Sequence, residues 1–229
     1  FLLKRAARYA SMNVAVSDSV ELRIIQLLGI RKKNIQVVSN GVPLPGKDAL
    51  KSQRNRLREN MHPLVLVSVG RLVPLKGHRQ LIFAMAQLVK YIPDINLYLV
   101  GGGELEQELK LLAIQQGVES HINFTGAVDN VSEFLGKAHI YVSTSHSEGM
   151  PVSILEAMAE LLPVIASDIP GNCSVIKDHE TGFLYELYNI ADLVEKVRFV
   201  ASNMNLSDTV VRQAREMVEK RYSVDLCRS

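Results

Sequence analysis

Short apolar runs alternate with segments whose apolar residues recur at helical spacing, almost from one end of the chain to the other. Leu64–Val69, Leu97–Val100, Ile122–Thr125, Ile140–Ser143 and Val164–Ala166 have strand length and near-continuous apolar character. Between them the spacing predicts a helix over Gly77–Tyr91, stopped by Pro93, and another over Glu104–Gln116, closed by Gly117. A short helix over Val131–Lys137 and a longer one over Pro151–Leu161 follow. A short strand near Phe183–Tyr185 and two terminal helices complete the pattern. Strands apolar on both faces and separated by helices predict a parallel sheet covered on both sides.

The expected architecture is therefore α/β, a Rossmann-like doubly wound parallel sheet that starts near Leu64. The residues before it read differently. A helical opening over Leu2–Ala10 leads to a strand at Asn13–Val16, and Ser17, Asp18 and Ser19 offer N-caps for a helix closed by Gly29. Ile35–Val38 is a further strand, ended by the Asn40-Gly41 turn. These first 42 residues are too few for a domain and read as the tail of a preceding one. Residues 43–63 lose apolar periodicity and gain Pro, Gly and charge, so they read as a linker to the domain at 64–229.

Composition narrows the class. Hydrophobic residues make up 47% and charged residues 22% of 229, enough apolar material for a sizeable core. A net charge of +2 gives no general pull toward nucleic acid, and no nucleic-acid partner is expected. Lys4, Arg5 and Arg8, then Arg31, Lys32 and Lys33, then Lys51–Arg58 are local basic clusters. They read as solvated faces; attraction to an anionic membrane surface would need them on one face. Cys173 and Cys227 lack metal-type spacing, so no disulfide framework or metal site is expected, and a reducing cytoplasmic setting fits. No apolar run approaches the roughly 18 to 20 residues of a spanning helix. Phe1-Leu2-Leu3 opens without Met and charges follow at once, as in an internal piece of a longer protein.

Candidate chemistry sits where such a sheet binds ligands, at the carboxyl ends of its strands. Gly70-Arg71-Leu72-Val73-Pro74-Leu75-Lys76-Gly77 puts two cations in one loop ahead of a helix, which suits phosphate oxygens. It is not a Walker A loop, because Leu75 stands where Gly must precede Lys. Gly101-Gly102-Gly103-Glu104 fails the dinucleotide fingerprint at Glu106 and reads as a tight turn that borders the ligand. The third cluster runs from Ser143 to Glu156. Pro151 fits the first helical turn, Gly149 leaves the backbone open, and Glu148 and Glu156 stand eight positions apart (156 − 148) around one helix start. Paired carboxylates there can accept hydrogen bonds from separate hydroxyl-bearing parts of one ligand. Glu156 lies in an apolar helix beside Leu155, Ala157 and Met158, so its charge needs a partner. His146, a loop histidine with no visible partner, reads as structural or solvated, with a catalytic base the lesser alternative, and His78 as packing at a helix start.

These motifs, in order, resemble a known family. "VAVSDSV", "IQVVSNGV", "VSVGRLVPLKGH", "LVGGGE", "FTGAVDNV" and "SEGMPVSILEAMAELLPVIASDIPGN" look like the retaining GT-B glycosyltransferases that include bacterial mannosyl-, glucosyl- and N-acetylglucosaminyltransferases. The resemblance covers about Val14 to Phe183 and implies the C-terminal, donor-binding half of a GT-B fold. It implies that Arg71 and Lys76 hold the donor diphosphate and that Glu148 engages the sugar hydroxyls, these three being the catalytic candidates. Gly70, Gly149, Met150, Pro151, Val152 and Glu156 would bind the donor, with Glu156 on the ribose; Thr125, Gly126 and Val128 would lie near the nucleobase. The resemblance implies a UDP- or GDP-linked sugar as donor, no metal or cofactor, a glycan or lipid-linked acceptor, and a cytoplasmic setting with peripheral contact at the inner face of the membrane through the missing domain. The family usually has a small residue, often Gly, where Leu161 stands, which alters the helix-to-strand turn. Relatives also carry a helix back across to the N-terminal domain, expected here to be short or missing. With most of an acceptor domain missing, the isolated chain is expected to bind donor and transfer nothing.

A nicotinamide oxidoreductase would need a glycine fingerprint that this chain lacks; a GT-B epimerase or phosphorylase is nearer in architecture, but a phosphorylase lacks a recognisable pyridoxal lysine context here. A non-catalytic scaffold with a transferase-like fold remains the alternative, against which the intact Arg71, Lys76, Glu148 and Glu156 argue.

Overall fold

The computed structural model describes residues 7, 9–46, 50, 54–55 and 61–227. The elements run β1 (Asn13–Ala15), α1 (Asp18–Leu28), β2 (Ile35–Val37), β3 (Val65–Val69), α2 (His78–Leu88), β4 (Asn96–Val100), α3 (Glu106–Gln115) and β5 (Ile122–Gly126). They continue with α4 (Ser132–Lys137), β6 (Ile140–Ser143), α5 (Val152–Ala159), β7 (Val164–Ser167), α6 (Pro170–Cys173), β8 (Phe183–Tyr185), α7 (Ile190–Ser202), α8 (Met204–Arg221) and α9 (Val224–Cys227). Most of the expected opening helix Leu2–Ala10, the cluster Lys4, Arg5 and Arg8, and most of Lys51–Arg58 lie outside the described residues.

The main sheet is parallel throughout, in the order β5-β4-β3-β6-β7-β8. Counted from β3, that is the 3-2-1-4-5-6 order of a doubly wound sheet. The strand order reverses between β3 and β6, which pair directly at Leu66↔Ile140 and Val67↔Tyr141. Crossovers leaving β3 and β6 therefore diverge, and a crevice opens between their carboxyl ends.

Near-continuous apolar runs serve two cores at once, because successive side chains point to opposite faces. Leu66, Leu97, Leu99, Ile140, Val142 and Ile165 face one core, shared with α2, α3 and α7. Val67, Val100, Tyr141, Val164 and Ala166 face the other, shared with α4, α5 and α8. A slip of one residue in any strand would exchange these sets, so the register is firmly set. Burying each such leucine or valine contributes about 1.5–3 kcal/mol.

Helix ends follow the expected chemistry. Ser17 accepts from Val20 N–H at the start of α1, and Gly29 closes it at φ 65 with its N–H on Ile25 O. Gly117 takes φ 67 after α3. Leu161 holds φ 58 after α5, a left-handed conformation that glycine adopts without steric cost. The altered turn expected at Leu161 is thus met by strain at one residue, with the strand pairing intact.

Several boundaries differ from the sequence reading. Helix α3 starts at Glu106 because Glu104 and Leu105 form a turn in which Leu105 N–H reaches Leu72 O at 3.0 Å. Pro151 caps α5 from outside, the helix starting at Val152. The four-residue α6 was not anticipated, and the expected pair of terminal helices is followed by a third, α9. Leu50 and Arg54 are buried, so the reading of the Lys51–Arg58 cluster as a solvated face is wrong for Arg54. Its guanidinium donates to Glu160 O at 2.8 Å, Ala138 O at 2.7 Å and Leu135 O at 2.8 Å. Those carbonyls end α4 and α5, where helices present unsatisfied acceptors and negative partial charge. Arg215 serves the same turn through Ala159 O, and reaches Pro45 O at 2.9 Å.

The small β1–β2 sheet is also parallel and packs α1 over Ala15, Ile30 and Ile35. It touches the main body at the loop after β6, where Ser17 Oγ donates to Gly149 O at 2.7 Å. Val42 N–H to Tyr222 O, 2.7 Å, and Val224 N–H to Val42 O, 3.1 Å, join it to the end of α8 and the start of α9.

Candidate functional site

Four loops meet at the carboxyl end of the sheet. The loop after β3 is tied to the next by Gly70 N–H to Val100 O, 2.9 Å, and Leu72 N–H to Gly102 O, 3.0 Å. Gly101 N–H then reaches Gly126 O at 3.0 Å, bringing in the end of β5. Gly101 has φ 132, and a Cβ there would stand 2.2 Å from Gly70 O, while one at Gly103 would stand 2.5 Å from Leu72 O, so close backbone packing requires glycine at these two positions of the triple. This agrees with its reading as a tight turn on the rim.

The loop after β6 carries the charged centre. Lys76, from a short 3-10 turn at Pro74–Lys76, places Nζ 2.5 Å from Glu148 Oε1, the two side chains being 21% and 12% exposed. Ser145 Oγ donates to the same Oε1 at 2.6 Å. Behind it, Ser167 Oγ donates to Ser145 O at 2.5 Å, and Asn172 Nδ2 donates to Ser167 O and Oγ at 2.9 and 3.2 Å. Ser145, Ser167 and Asn172 are all buried, so this is a fully internal polar support. Glu148 also borders an open cleft of about 490 Å³, walled by α1 residues such as Val20, Arg23 and Gln26 and by Ile169–Gly171.

The other candidate residues take distinct places. Arg71 is exposed on the same loop as Lys76 and has no side-chain partner among the described residues. Glu156 lies half-buried in α5, also without a side-chain hydrogen bond among the described residues. Burial, and then the charge of Glu160 one turn on, push its carboxyl above the usual carboxylate range. Gly149 is half-buried, Met150 and Pro151 are buried, and Val152 opens α5 beside them. Met150 Sδ accepts Asn40 N–H at 3.2 Å, so its side chain faces the β1–β2 unit. Thr125 and Gly126 end β5, with Thr125 Oγ1 donating to Gly126 O at 2.9 Å, and Val128 packs half-buried below them.

Both histidines are packed within the fold. His146 Nε2 lies 2.7 Å from Gln80 Nε2 and its ring meets Tyr188 edge-on at 5.0 Å; burial lowers its pKa. His78 is buried at the start of α2, its pKa lowered to about 4 by burial and then by Lys76. Residues without an assigned part in the sequence reading are Ser145, Ser167, Asn172 and Tyr141. Tyr141 OH donates to Ser153 Oγ at 2.8 Å and fixes the first turn of α5 to the sheet. Among the described residues no group of three or more His, Cys, Asp or Glu is arranged to hold a metal ion, and no helix is long and apolar enough to cross a membrane.

Another cavity, of about 670 Å³, lies at the opposite end of the sheet, near Val65, Asn96 and Ile122. Lys110 and Glu119 are among its lining residues, but it sits at the amino ends of the strands, where this fold does not bind ligands.

The fold and this crevice define a doubly wound α/β domain with a cation–carboxylate pair at the topological switch point. The chain belongs to the glycosyl transferases group 1 family, whose model matches residues 51–217. It is 33% identical over 190 residues to an uncharacterized glycosyltransferase of Haemophilus influenzae, covering 82% of this chain and 52% of that protein. It is 32% identical over 198 residues to the Escherichia coli UDP-Gal:alpha-D-GlcNAc-diphosphoundecaprenol alpha-1,3-galactosyltransferase, covering 82% of this chain and 51% of that one. Among solved structures, Staphylococcus aureus TarM superposes with a TM-score of 0.85 at 23% identity, over 99% of this chain and 44% of TarM. Anabaena HepE in complex with UDP-glucose gives 0.84 at 24% identity, over 97% of this chain and 62% of HepE. The fold is thus that of one Rossmann-like half of a GT-B enzyme. The chain spans about half the length of the two curated relatives named.

Proposed function

We propose that this chain binds a nucleotide-diphospho-sugar at the β3–β6 crevice and serves as the donor half of a retaining hexosyltransferase. Arg71 and Lys76 hold the diphosphate and stabilise charge on the departing nucleotide. Glu148 accepts hydrogen bonds from sugar hydroxyls, backbone groups of Gly70 and Gly149–Val152 surround sugar and phosphate, and Glu156 takes the ribose hydroxyls. Thr125, Gly126 and Val128 lie beside the base. The donor is UDP- or GDP-linked, the cations take the place of a metal, and the acceptor is a glycan or lipid-linked sugar. Residues 1–42 belong to the acceptor-binding domain, 43–63 form the linker, and 64–229 form the donor domain.

The observation that carries this reading is the meeting of Lys76 and Glu148, 2.5 Å apart, at the one point where the strand order reverses. Printed names of relatives support the donor class: the galactosyltransferase uses UDP-Gal, and HepE is seen with UDP-glucose. Calorimetric titration of the chain with UDP- and GDP-sugars tests it. Saturable heat with one base series is expected, and no heat with any nucleotide sugar contradicts it. In this reading the protein works in the cytoplasm, with peripheral contact at the inner face of the membrane; flotation with anionic vesicles tests that contact, and failure of the full-length protein to float at low salt refutes it.

A further inference from the structure

The two side chains assigned to opposite ends of the donor form an ion pair with each other. Lys76 Nζ lies on Glu148 Oε1, and both are largely shielded from water. One partner is fixed and the other is not. Glu148 is held by Ser145 Oγ at 2.6 Å, backed by Ser167 and Asn172. Gly171 packs so closely behind it that a Cβ there would stand 2.3 Å from Glu148 O and 2.7 Å from its Cβ. Lys76 is a flexible four-carbon stem that runs beside Gly70, where a Cβ would stand 3.4 Å from its Cδ and Cε and where glycine leaves it room.

We infer that this ion pair makes the site discriminate a nucleotide that carries a sugar from the bare nucleoside diphosphate. A diphosphate entering over Gly70–Gly77 competes for the Lys76 ammonium. When Lys76 turns to it, Glu148 stays behind in a shielded position with its counterion withdrawn. A sugar brings hydroxyl donors to that carboxylate and restores its hydrogen bonding. A bare nucleoside diphosphate brings none, so its binding carries the full cost of opening the pair. Loss of the sugar therefore favours reclosure of the pair and release of the nucleotide. The inference rests on the donor-site reading given above.

Calorimetry on the chain and on Glu148→Gln, Lys76→Ala and the double variant tests it, with UDP and GDP against UDP-glucose, UDP-N-acetylglucosamine and GDP-mannose. Glu148→Gln frees Lys76 and is expected to tighten the bare diphosphate about three- to tenfold while weakening the sugar-bearing ligand about tenfold. In the Lys76→Ala background the gain for the bare diphosphate is expected to vanish. Unchanged or weaker binding of the bare diphosphate to Glu148→Gln overturns the inference. So does a gain that survives without Lys76, because it would report only the lost negative charge. If the unaltered chain binds neither ligand class, the donor-site reading itself has failed, a result distinct from both. Glu148→Asp, which keeps the charge but draws it away from Lys76, gives the same direction at smaller amplitude and serves if the glutamine variant does not fold.

Discussion

Arg54 offers the sharpest test of how the fold holds its site. The residue is 5% exposed, and its guanidinium donates to three carbonyls, at 2.7–2.8 Å, that end α4 and α5. Helix α5 carries Glu156 and begins at the donor loop, so its far end is anchored through this residue. Arg54→Met keeps most of the stem and removes every donor. Hydrogen bonds from a charged group contribute about 1.5–3 kcal/mol each, so three would sum to roughly 4.5–9 kcal/mol before any offset. The variant also recovers the cost of burying a cation, which leaves a net loss of about 3–5 kcal/mol. That is a large share of a total stability of about 5–15 kcal/mol. Urea unfolding followed by far-UV circular dichroism reads it directly. Arg54→Lys, with one nitrogen and the same charge, is expected to fall between the two. The bonds are shielded, so the difference should persist from low to high salt. A loss below about 1 kcal/mol, or a lysine variant equal to wild type, refutes the anchoring argument.

Other outcomes follow from single residues. Glu156→Gln should raise the melting temperature at pH 7.5 yet weaken nucleotide-sugar binding about tenfold, as expected when a site is kept at the expense of stability. Its carboxyl is raised in the folded state, so the carboxylate's penalty is present at neutral pH and absent once the group is protonated in both states. The gain should disappear in melts near pH 4, and a gain independent of pH would contradict this account. His78 behaves oppositely: its folded pKa of about 4 lies below the unfolded 6.5, so its contribution is intact above pH 6.5 and is lost as pH falls toward 4. His78→Leu should flatten the fall in unfolding free energy across that window by about 3 kcal/mol, and an unchanged slope would exclude His78 as its source. Leu161→Gly should relieve the φ of 58 and stabilise the protein by about 0.5–1 kcal/mol, after the added freedom of the unfolded chain is subtracted. A lower melting temperature would mean that Leu161 packing outweighs the strain.

The parallel sheet was legible because its strands are buried on both faces, and that leaves an apolar run no other reading of strand length. The loops were legible as ligand sites because Arg71, Lys76 and Glu148 are expensive residues to gather at strand ends without a task. Placement of Lys76 against Glu148 was not legible, since a contact across 72 positions depends on β3 and β6 being neighbours. Ser145, Ser167 and Asn172 were missed for a similar reason. A serine at a strand end reads as an ordinary loop residue, and only the packing of α6 against the β6 loop turns these three into one support. Arg54 was hidden by its surroundings: it lies in a stretch without periodicity, where an arginine normally reaches into water. Leu161 was visible only against the family pattern, as a bulky residue in a place where glycine is common.

Hydrogen–deuterium exchange of the chain with and without a bound nucleotide sugar tests the central claim most directly. The account predicts slower exchange at Gly70–Gly77, Thr125–Val128 and Ser145–Val152, the loops that meet at the β3–β6 crevice. Protection confined to the opposite end of the sheet, around Asn96 and His121–Phe124 in the larger cavity, would contradict it.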